Sequence, residues 1–116
     1  MNWEKLTSVD QLNEVDLLSK ETPVVLFKHS TSCSISATAL NRVERKWNQE
    51  KHPDVKAFYL DLLSYRAISN EISQRYGIQH QSPQVLIINN GTCSYENSHF
   101  GISYDEIVDN IEAASI

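Results

Sequence analysis

A continuous apolar run, Val24-Val25-Leu26-Phe27, constrains the fold of this chain more than any other feature. Uninterrupted runs of branched and aromatic residues are typical of strands that are buried on both faces of a sheet. Such a strand requires helices on each side of its sheet, because both of its faces must be kept from water. The run therefore predicts a central strand in a layered α/β fold.

Four other segments show the spacing of amphipathic helices. The first is predicted from about Val9 to Ser19, the third ends before Gly77, and the last begins at a capping box formed by Ser103 and Glu106. Their apolar positions recur every three or four residues, which is the helical period: Leu12, Val15 and Leu18; Ala37, Leu40, Val43 and Trp47; Ile68, Ile72 and Tyr76; Tyr104, Ile107, Val108 and Ile111.

Further strands are predicted between these helices. Trp3 and Leu6 flank a short edge strand, a third strand lies within residues 55–63, and a fourth includes residues 85–88. Asn90-Gly91 then gives a strong hairpin signal, because both residues tolerate positive φ. The return strand, over about residues 92–100, should therefore run antiparallel to the fourth strand.

The order of these elements predicts the architecture. Alternating strands and helices imply parallel strands with helices on both faces, and the hairpin adds antiparallel neighbours. We expect a three-layer α/β/α fold, with a mixed sheet of four or five strands and four helices. A chain of 116 residues fits one domain, spanning residues 1–116.

Composition and charge argue against several classes of function. The net charge is −5, and the ten Lys and Arg residues are scattered among fifteen acids, which argues against nucleic-acid binding. No apolar run approaches the roughly 18 residues of a membrane span, and no secretory signal is evident, so we expect a cytoplasmic protein with no membrane partner. Two cysteines and four histidines lack metal-ligand spacing, and no metal site is expected.

Cys33 is the strongest functional candidate. It lies where the strand pattern stops and the second helical pattern begins, and a helix N-terminus favours thiolate over thiol. Its neighbours Ser32, Ser34 and Ser36 are polar, which indicates an exposed loop, although a buried inert cysteine is the alternative. We interpret Cys33 as a nucleophile.

The order of elements around this cysteine resembles the thioredoxin fold along nearly the whole chain. The resemblance includes the cysteine loop, the proline before the fourth strand and Gly101 ahead of the last helix. It implies that Pro83 is a cis-proline facing Cys33 and that the backbone of Ser82 pairs with extended substrates. Phe27 stands where dithiol thioredoxins keep a buried acid.

A narrower resemblance rests on residues 27–37, which include the run Lys28-His29-Ser30-Thr31-Ser32-Cys33-Ser34-Ile35-Ser36. This run is similar to the single-thiol bacilliredoxins, the small general-stress proteins linked to the bacillithiol system. Their motif reads close to Lys-His-Ser-Thr-x-Cys-Pro-Ile-Ser. Ser34 replaces the motif proline, which removes a fixed φ and adds a backbone donor and a hydroxyl near the sulfur.

The resemblance implies thiol–disulfide exchange, in which Cys33 removes bacillithiol from mixed disulfides of S-thiolated client proteins. Cys33 and Ser36 would be catalytic. The residues expected to contact substrate are Thr31, Ser32, Ser34, Ile35, Ser82 and Pro83. No bound cofactor is implied, because the low-molecular-weight thiol is a co-substrate. The alternative is a non-catalytic module that holds a partner segment in the groove at Pro83.

Resolution of the mixed disulfide is the main open point of this mechanism. Ser36 lies three residues after Cys33, where a dithiol enzyme has its second cysteine, and a hydroxyl cannot close a disulfide. Ser36 would instead donate a hydrogen bond to the thiolate, or bond to backbone. Resolution then needs a second molecule or Cys93, which lies roughly 20 Å along the strand from Pro83. We therefore expect Cys93 to be a spectator.

Two cationic residues precede the cysteine loop. Lys28 and His29 follow the apolar run, and a cation near the sulfur would favour thiolate. Because strand residues alternate between faces, only one of them should reach the site, and His29 is the candidate that would stabilise the thiolate. The alternative is that both side chains face solvent.

Overall fold

The structure is a computed structural model that describes residues 3–30, 34–47 and 55–114. Its elements are β1 (Trp3–Lys5), α1 (Asp10–Leu18), β2 (Val24–His29), α2 (Ser34–Lys46), β3 (Lys56–Asp61), α3 (Arg66–Tyr76), β4 (Gln84–Asn89), β5 (Thr92–Ser98), a 3₁₀ turn (His99–Gly101) and α4 (Tyr104–Ala114). The predicted order of strands and helices is confirmed.

The five strands form one mixed sheet in the order β1-β3-β2-β4-β5. Strands β1, β3 and β2 are parallel, whereas β4 is antiparallel to β2, and β5 is antiparallel to β4. The expected mixed sheet with four helices is therefore present. The carboxyl ends of β1, β2 and β3 meet at one edge of the sheet, next to the start of α2.

Strand β2 is at the centre of the sheet, and all six of its residues are buried. Val25 and Phe27 belong to a core shared with α2 and α4, while Val24 and Leu26 belong to a second core shared with α1 and α3. Helices therefore cover both faces of the sheet. This arrangement explains why the apolar run of β2 has no polar alternation.

Residues with positive φ end α3 and form the β4–β5 hairpin, as the sequence indicates. Gly77 follows α3 with φ of 66°, and Asn90 and Gly91 have φ of 53° and 74°. Only residues that tolerate left-handed backbone fit these positions.

Strand β3 lies within the predicted residues 55–63, whereas β5 ends before the predicted residue 100, and a local turn ends each of the two strands. Strand β3 stops at Asp61, because its carboxylate accepts hydrogen bonds from the Leu63 N–H and the Ser64 hydroxyl, which begins a turn. Strand β5 stops at Ser98, because His99 adopts φ of 53° and opens the 3₁₀ turn.

Within the described ranges, no helix combines the length and apolar character needed to cross a membrane.

Candidate functional site

The loop between β2 and α2 is the centre of the candidate site. Cys33, together with Thr31 and Ser32, lies outside the described residues. The residues that flank the loop are described, and they define its surroundings. Strand β2 leads to the loop through His29, and α2 begins immediately after the cysteine, at Ser34.

Ser36 is held in a fixed position in the first turn of α2. Its side chain is fully buried, and its Oγ lies 2.6 Å from Nδ1 of His29. The same Oγ accepts a hydrogen bond from the backbone N–H of Ser30, at 3.1 Å. These contacts tie the first turn of α2 to the end of β2, on either side of the cysteine loop.

His29 is buried between α2 and β3. Its ring contacts the ring of Tyr59, with centroids 5.5 Å apart, and it lies opposite Asp61 in the sheet register. Burial lowers the pKa of His29, while the negative charges of Asp61 and Glu44 partly oppose that effect. Burial therefore favours the neutral imidazole, which acts through hydrogen bonds rather than as a cation.

The first residues of α2 present accessible atoms beside the cysteine loop. Ser34 is exposed, and its carbonyl oxygen accepts a hydrogen bond from the hydroxyl of Thr38 at 2.9 Å. Ile35 leaves 45% of its surface exposed. Because N–H groups in the first turn of a helix have no intrahelical partner, α2 presents donors and a positive dipole end to the loop.

Ser82 and Pro83 immediately precede β4, the strand that pairs with β2 on the side opposite β3. Their peptide bond is cis, and the carbonyl oxygen of Pro83 accepts a hydrogen bond from the N–H of His99. Gln84, the next residue, pairs with Lys28 across the β2–β4 ladder. The hydroxyl of Ser82 is buried, and among the described residues it has no hydrogen-bond partner.

The burial of Lys28 was not predictable from the sequence pattern. Its side chain is 1% exposed, and Nζ lies 3.4 Å from the Ser69 carbonyl oxygen, 3.5 Å from the Ser73 hydroxyl and 3.4 Å from Nδ1 of His80. Burial lowers the pKa of Lys28 to about 8. Lys28 and His29 do occupy opposite faces of β2, but the alternative that both face solvent is wrong, because helices cover both faces up to the end of the strand.

Cys93 lies far along the sheet from the end of β2. It pairs with Ile88, which in turn pairs with Val24 at the start of β2, whereas the cysteine loop follows the other end. Cys93 is half-buried, and its Sγ lies 3.2 Å from the carbonyl oxygen of Tyr95. Burial raises the pKa of this thiol, which favours the unreactive protonated form.

In the ranges that the structure describes, no cluster of three or more His, Cys, Asp or Glu side chains is arranged to hold a metal ion.

Comparison with known proteins places this chain in a redox context. A family model described as monothiol bacilliredoxin BrxC matches residues 4–107. Among solved structures, a thioredoxin-fold protein described as a candidate oxidoreductase is similar, with 26% identity and a TM-score of 0.76 over 91% of this chain and 90% of that one.

Thioredoxins share the fold at lower identity. The thioredoxin F of spinach chloroplasts, in its long form, has 19% identity and a TM-score of 0.74 over 99% of this chain and 88% of that one. The thioredoxin of Fasciola hepatica has 14% identity and a TM-score of 0.73 over 96% and 98% of the two chains. At these levels of identity, the two comparisons show a shared fold and nothing about activity.

Proposed function

This chain belongs to the monothiol bacilliredoxin BrxC family and is a thiol redox protein of the thioredoxin fold, and we propose that it removes bacillithiol from protein mixed disulfides by exchange at Cys33. The proposal concerns the identity of the small thiol, the direction of transfer and the roles of individual residues. Its clients are proteins whose cysteines carry the small thiol.

The exchange consists of two balanced displacements. In the first, the Cys33 thiolate attacks the sulfur of the small thiol in the client's mixed disulfide. A new disulfide forms between Cys33 and the small thiol, and the client leaves as a thiolate. In the second, the thiolate of another small-thiol molecule attacks the same sulfur, which frees Cys33 and yields the symmetric disulfide of the small thiol.

The single observation that carries the proposal is the environment of Ser36. Its oxygen accepts the Ser30 N–H and lies 2.6 Å from Nδ1 of His29. When the neutral imidazole carries its proton on Nδ1, both lone pairs of the Ser36 oxygen accept hydrogen bonds, and its O–H is free to donate to the thiolate. A fixed hydroxyl therefore stands at the position where dithiol enzymes place a second sulfur.

The absence of a second sulfur at this position decides how the intermediate is resolved. A serine cannot displace the small thiol from Cys33, so the adduct persists until an external thiol attacks it. Cys93 does not fit this role, because it lies at the opposite end of the β2–β4 ladder and burial raises its pKa. We therefore assign resolution to a second thiol molecule.

Substrate would approach between α2 and the loop before β4. Ile35 supplies exposed apolar surface on one side, and Ser82, whose buried hydroxyl has no hydrogen-bond partner among the described residues, precedes β4 on the other. A client segment in this position would present its disulfide above the start of α2. This arrangement supports roles in substrate binding for Ile35 and for the segment that contains Ser82.

The test is release of bacillithiol from a purified protein that carries it on one cysteine. Wild type and Cys93→Ser should restore the client thiol at equal rates, whereas Cys33→Ser should not exceed the rate with bacillithiol alone. A Cys33→Ser variant that retains the wild-type rate would overturn the proposal.

A further inference from the structure

Residues 79–81, which lead directly to Ser82 and Pro83, are fastened to the sheet by two buried polar side chains. Lys28 on β2 and Gln84 on β4 are paired in the antiparallel ladder, so their side chains project from the same face of the sheet. Lys28 is 1% exposed, and Gln84 is fully buried. Because burying an amine opposes folding, packing alone does not account for this pair.

The first of these side chains, Lys28, holds the segment through His80. Nζ of Lys28 lies 3.4 Å from His80 Nδ1, and the carbonyl oxygen of Ser69 and the hydroxyl of Ser73, both on α3, keep the amine in place. Ser69 Oγ also lies 3.2 Å from His80 Nδ1. The ring of His80 is otherwise exposed, so these contacts of Nδ1 fix its position against the sheet and α3.

The protonation states that the surroundings favour suit this contact. Burial lowers the pKa of Lys28 to about 8, so the amine is still mostly charged at pH 7. Burial, and then the positive charges of Lys28 and Arg66, lower the pKa of His80, which favours the neutral ring. When the ring proton is on Nε2, Nδ1 accepts a hydrogen bond from the ammonium group of Lys28.

The second side chain, Gln84, holds the residues on either side of His80. Its Nε2 donates to the carbonyl oxygen of Gln79 at 3.1 Å, and its Oε1 accepts from the N–H of Gln81 at 3.4 Å. Nε2 also donates to Oε2 of Glu96 on β5, at 3.0 Å, which fixes the orientation of the amide. Three consecutive residues are therefore held from β2 and β4, just ahead of the cis peptide bond.

The other end of this segment is also fixed. The carbonyl oxygen of Pro83 accepts a hydrogen bond from the N–H of His99 at 3.0 Å. Ser82 therefore lies between residues 79–81 and Pro83, each of which is held by its own contacts. A segment that is ordered in advance loses little conformational entropy when a ligand pairs with it.

We propose that Lys28 and Gln84 are positioning residues for the client: they hold residues 79–81 and thereby fix the backbone of Ser82, with which an extended client segment pairs. The inference rests on the proposed function, and it adds the side chains that prepare the β4 side of the site. In this role neither residue acts on the reacting sulfur atoms. Loss of either one should weaken client binding and leave the reactivity of the thiol unchanged.

The test compares two disulfides that deliver the same small thiol. One is a purified client protein that carries bacillithiol on one cysteine, and the other is the symmetric disulfide of bacillithiol, which has no peptide to pair with Ser82. The rate of adduct formation on Cys33 is measured by intact mass over a range of concentrations of each disulfide. A change in the thiolate fraction affects both rates alike, so the ratio of the two second-order rate constants, client over symmetric disulfide, reports client binding.

Substitution of either positioning residue should lower this ratio. Lys28→Met and Gln84→Met remove the polar groups but keep the length of the side chain. Each should lower the ratio about fivefold, the factor expected for the net contribution of one hydrogen bond, by raising the half-saturating client concentration rather than slowing the limiting rate. The controls Lys20→Met and Gln74→Met alter exposed residues and should leave the ratio unchanged.

Two variants of His80 separate positioning from packing. His80→Asn places Oδ1 where Nδ1 stands and keeps an acceptor for Lys28, whereas His80→Leu has the same branching and no acceptor. Because His80 is exposed, both variants should fold. His80→Leu should lower the ratio as Lys28→Met does, and His80→Asn should stay within about twofold of wild type.

The possible failures are distinguishable. If Lys28→Met or His80→Leu keeps the wild-type ratio, if both disulfides slow equally, or if His80→Asn is as impaired as His80→Leu, the positioning role is overturned and the exchange function stands. If the wild-type protein takes no bacillithiol from the client, the proposed function fails, and the inference that rests on it fails too.

Discussion

Nδ1 of His29 lies 2.6 Å from Oγ of Ser36, and this contact joins the last residue of β2 to the first turn of α2. Both side chains are buried, so each satisfies a polar atom that would otherwise lack a partner away from water. The contact therefore has a structural role and also fixes the hydroxyl that we assign to the thiolate.

Replacing Ser36 with alanine should weaken both roles. Ser36→Ala removes the buried contacts of the Ser36 oxygen with the Ser30 N–H and the His29 ring, and we expect a loss of about 1–3 kcal/mol in the free energy of unfolding. The pKa of the Cys33 thiol should rise, because the thiolate loses a donor. Urea denaturation and the pH dependence of Cys33 alkylation measure the two effects.

The control for this change is Thr38→Ala, which removes an exposed hydroxyl two residues away on the same helix. It should change the free energy of unfolding by less than about 0.5 kcal/mol and leave Cys33 alkylation unaltered. Equal effects of the two substitutions would show that the buried contact of Ser36 has no special role.

Restoring a second thiol should convert the site to a dithiol. In Ser36→Cys, the new sulfur would stand three residues after Cys33, the spacing that closes internal disulfides in thioredoxins. An adduct formed on Cys33 should then resolve without an external thiol, and the protein should lose the mass of two hydrogen atoms. Intact mass over time measures this change, and a stable adduct would contradict our assignment of Ser36 to the resolving position.

His29 should make stability depend on pH in mild acid. Its pKa is lowered by burial below the ordinary value of 6.5, so below that pH the unfolded chain takes up a proton that the folded chain resists. The free energy of unfolding should therefore fall as the pH falls below about 6.5. His29→Gln should reduce this slope, with His80 accounting for part of what remains, since its pKa is also lowered.

The exposed His99 provides the control for this pH effect. The variant His99→Gln should keep the wild-type slope between pH 5 and 7, as measured by denaturation at several pH values. A His29→Gln variant with the full wild-type slope would contradict the burial argument.

Lys28 should make the stability of the fold depend on pH above neutrality. Its pKa is about 8 in the folded protein against an ordinary 10.5, so between these values the unfolded chain holds more protons and stability should rise with pH. At pH 7 the charged, buried amine costs up to about 3 kcal/mol, at about 1.4 kcal/mol for each tenfold change in proton affinity. Lys28→Met should therefore be more stable than wild type at pH 7.

Denaturation at pH 7 and pH 9.5 measures the effect of Lys28. The difference in stability between Lys28→Met and wild type should shrink at the higher pH. Lys20→Met, which alters an exposed lysine, should show no such change. A destabilised Lys28→Met variant would indicate that the contacts of Nζ with Ser69, Ser73 and His80 outweigh the cost of burial.

Much of the fold is predictable from local patterns. The buried strand β2 follows from its unbroken apolar run, and the hairpin between β4 and β5 follows from the positive φ that Asn90 and Gly91 tolerate. The sequence also predicts the end of α3 before Gly77. Each of these features depends on neighbouring residues, which is why the sequence alone shows it.

Contacts between distant segments are harder to predict. Lys28 and His29 are polar residues at the end of a strand, and their burial depends on how far α3 and α2 extend over the sheet. Lys28 and His29 follow the apolar run directly, without a Gly, Pro, Asn or Asp to end the strand, and this is the one local signal that could have indicated their burial. The hydrogen bond from Trp3 Nε1 to Glu44 joins residues that are 41 positions apart in the sequence, and no local pattern connects them.

The central claim is that Cys33 alone accepts the small thiol and that nothing within the chain removes it. The most direct measurement is intact mass and peptide mapping after a single turnover, with the wild-type protein in excess over a client that carries bacillithiol and no free thiol present. We predict one bacillithiol on Cys33 for each client thiol released, with Cys93 unmodified. A disulfide between Cys33 and Cys93, or bacillithiol on Cys93, would contradict the account.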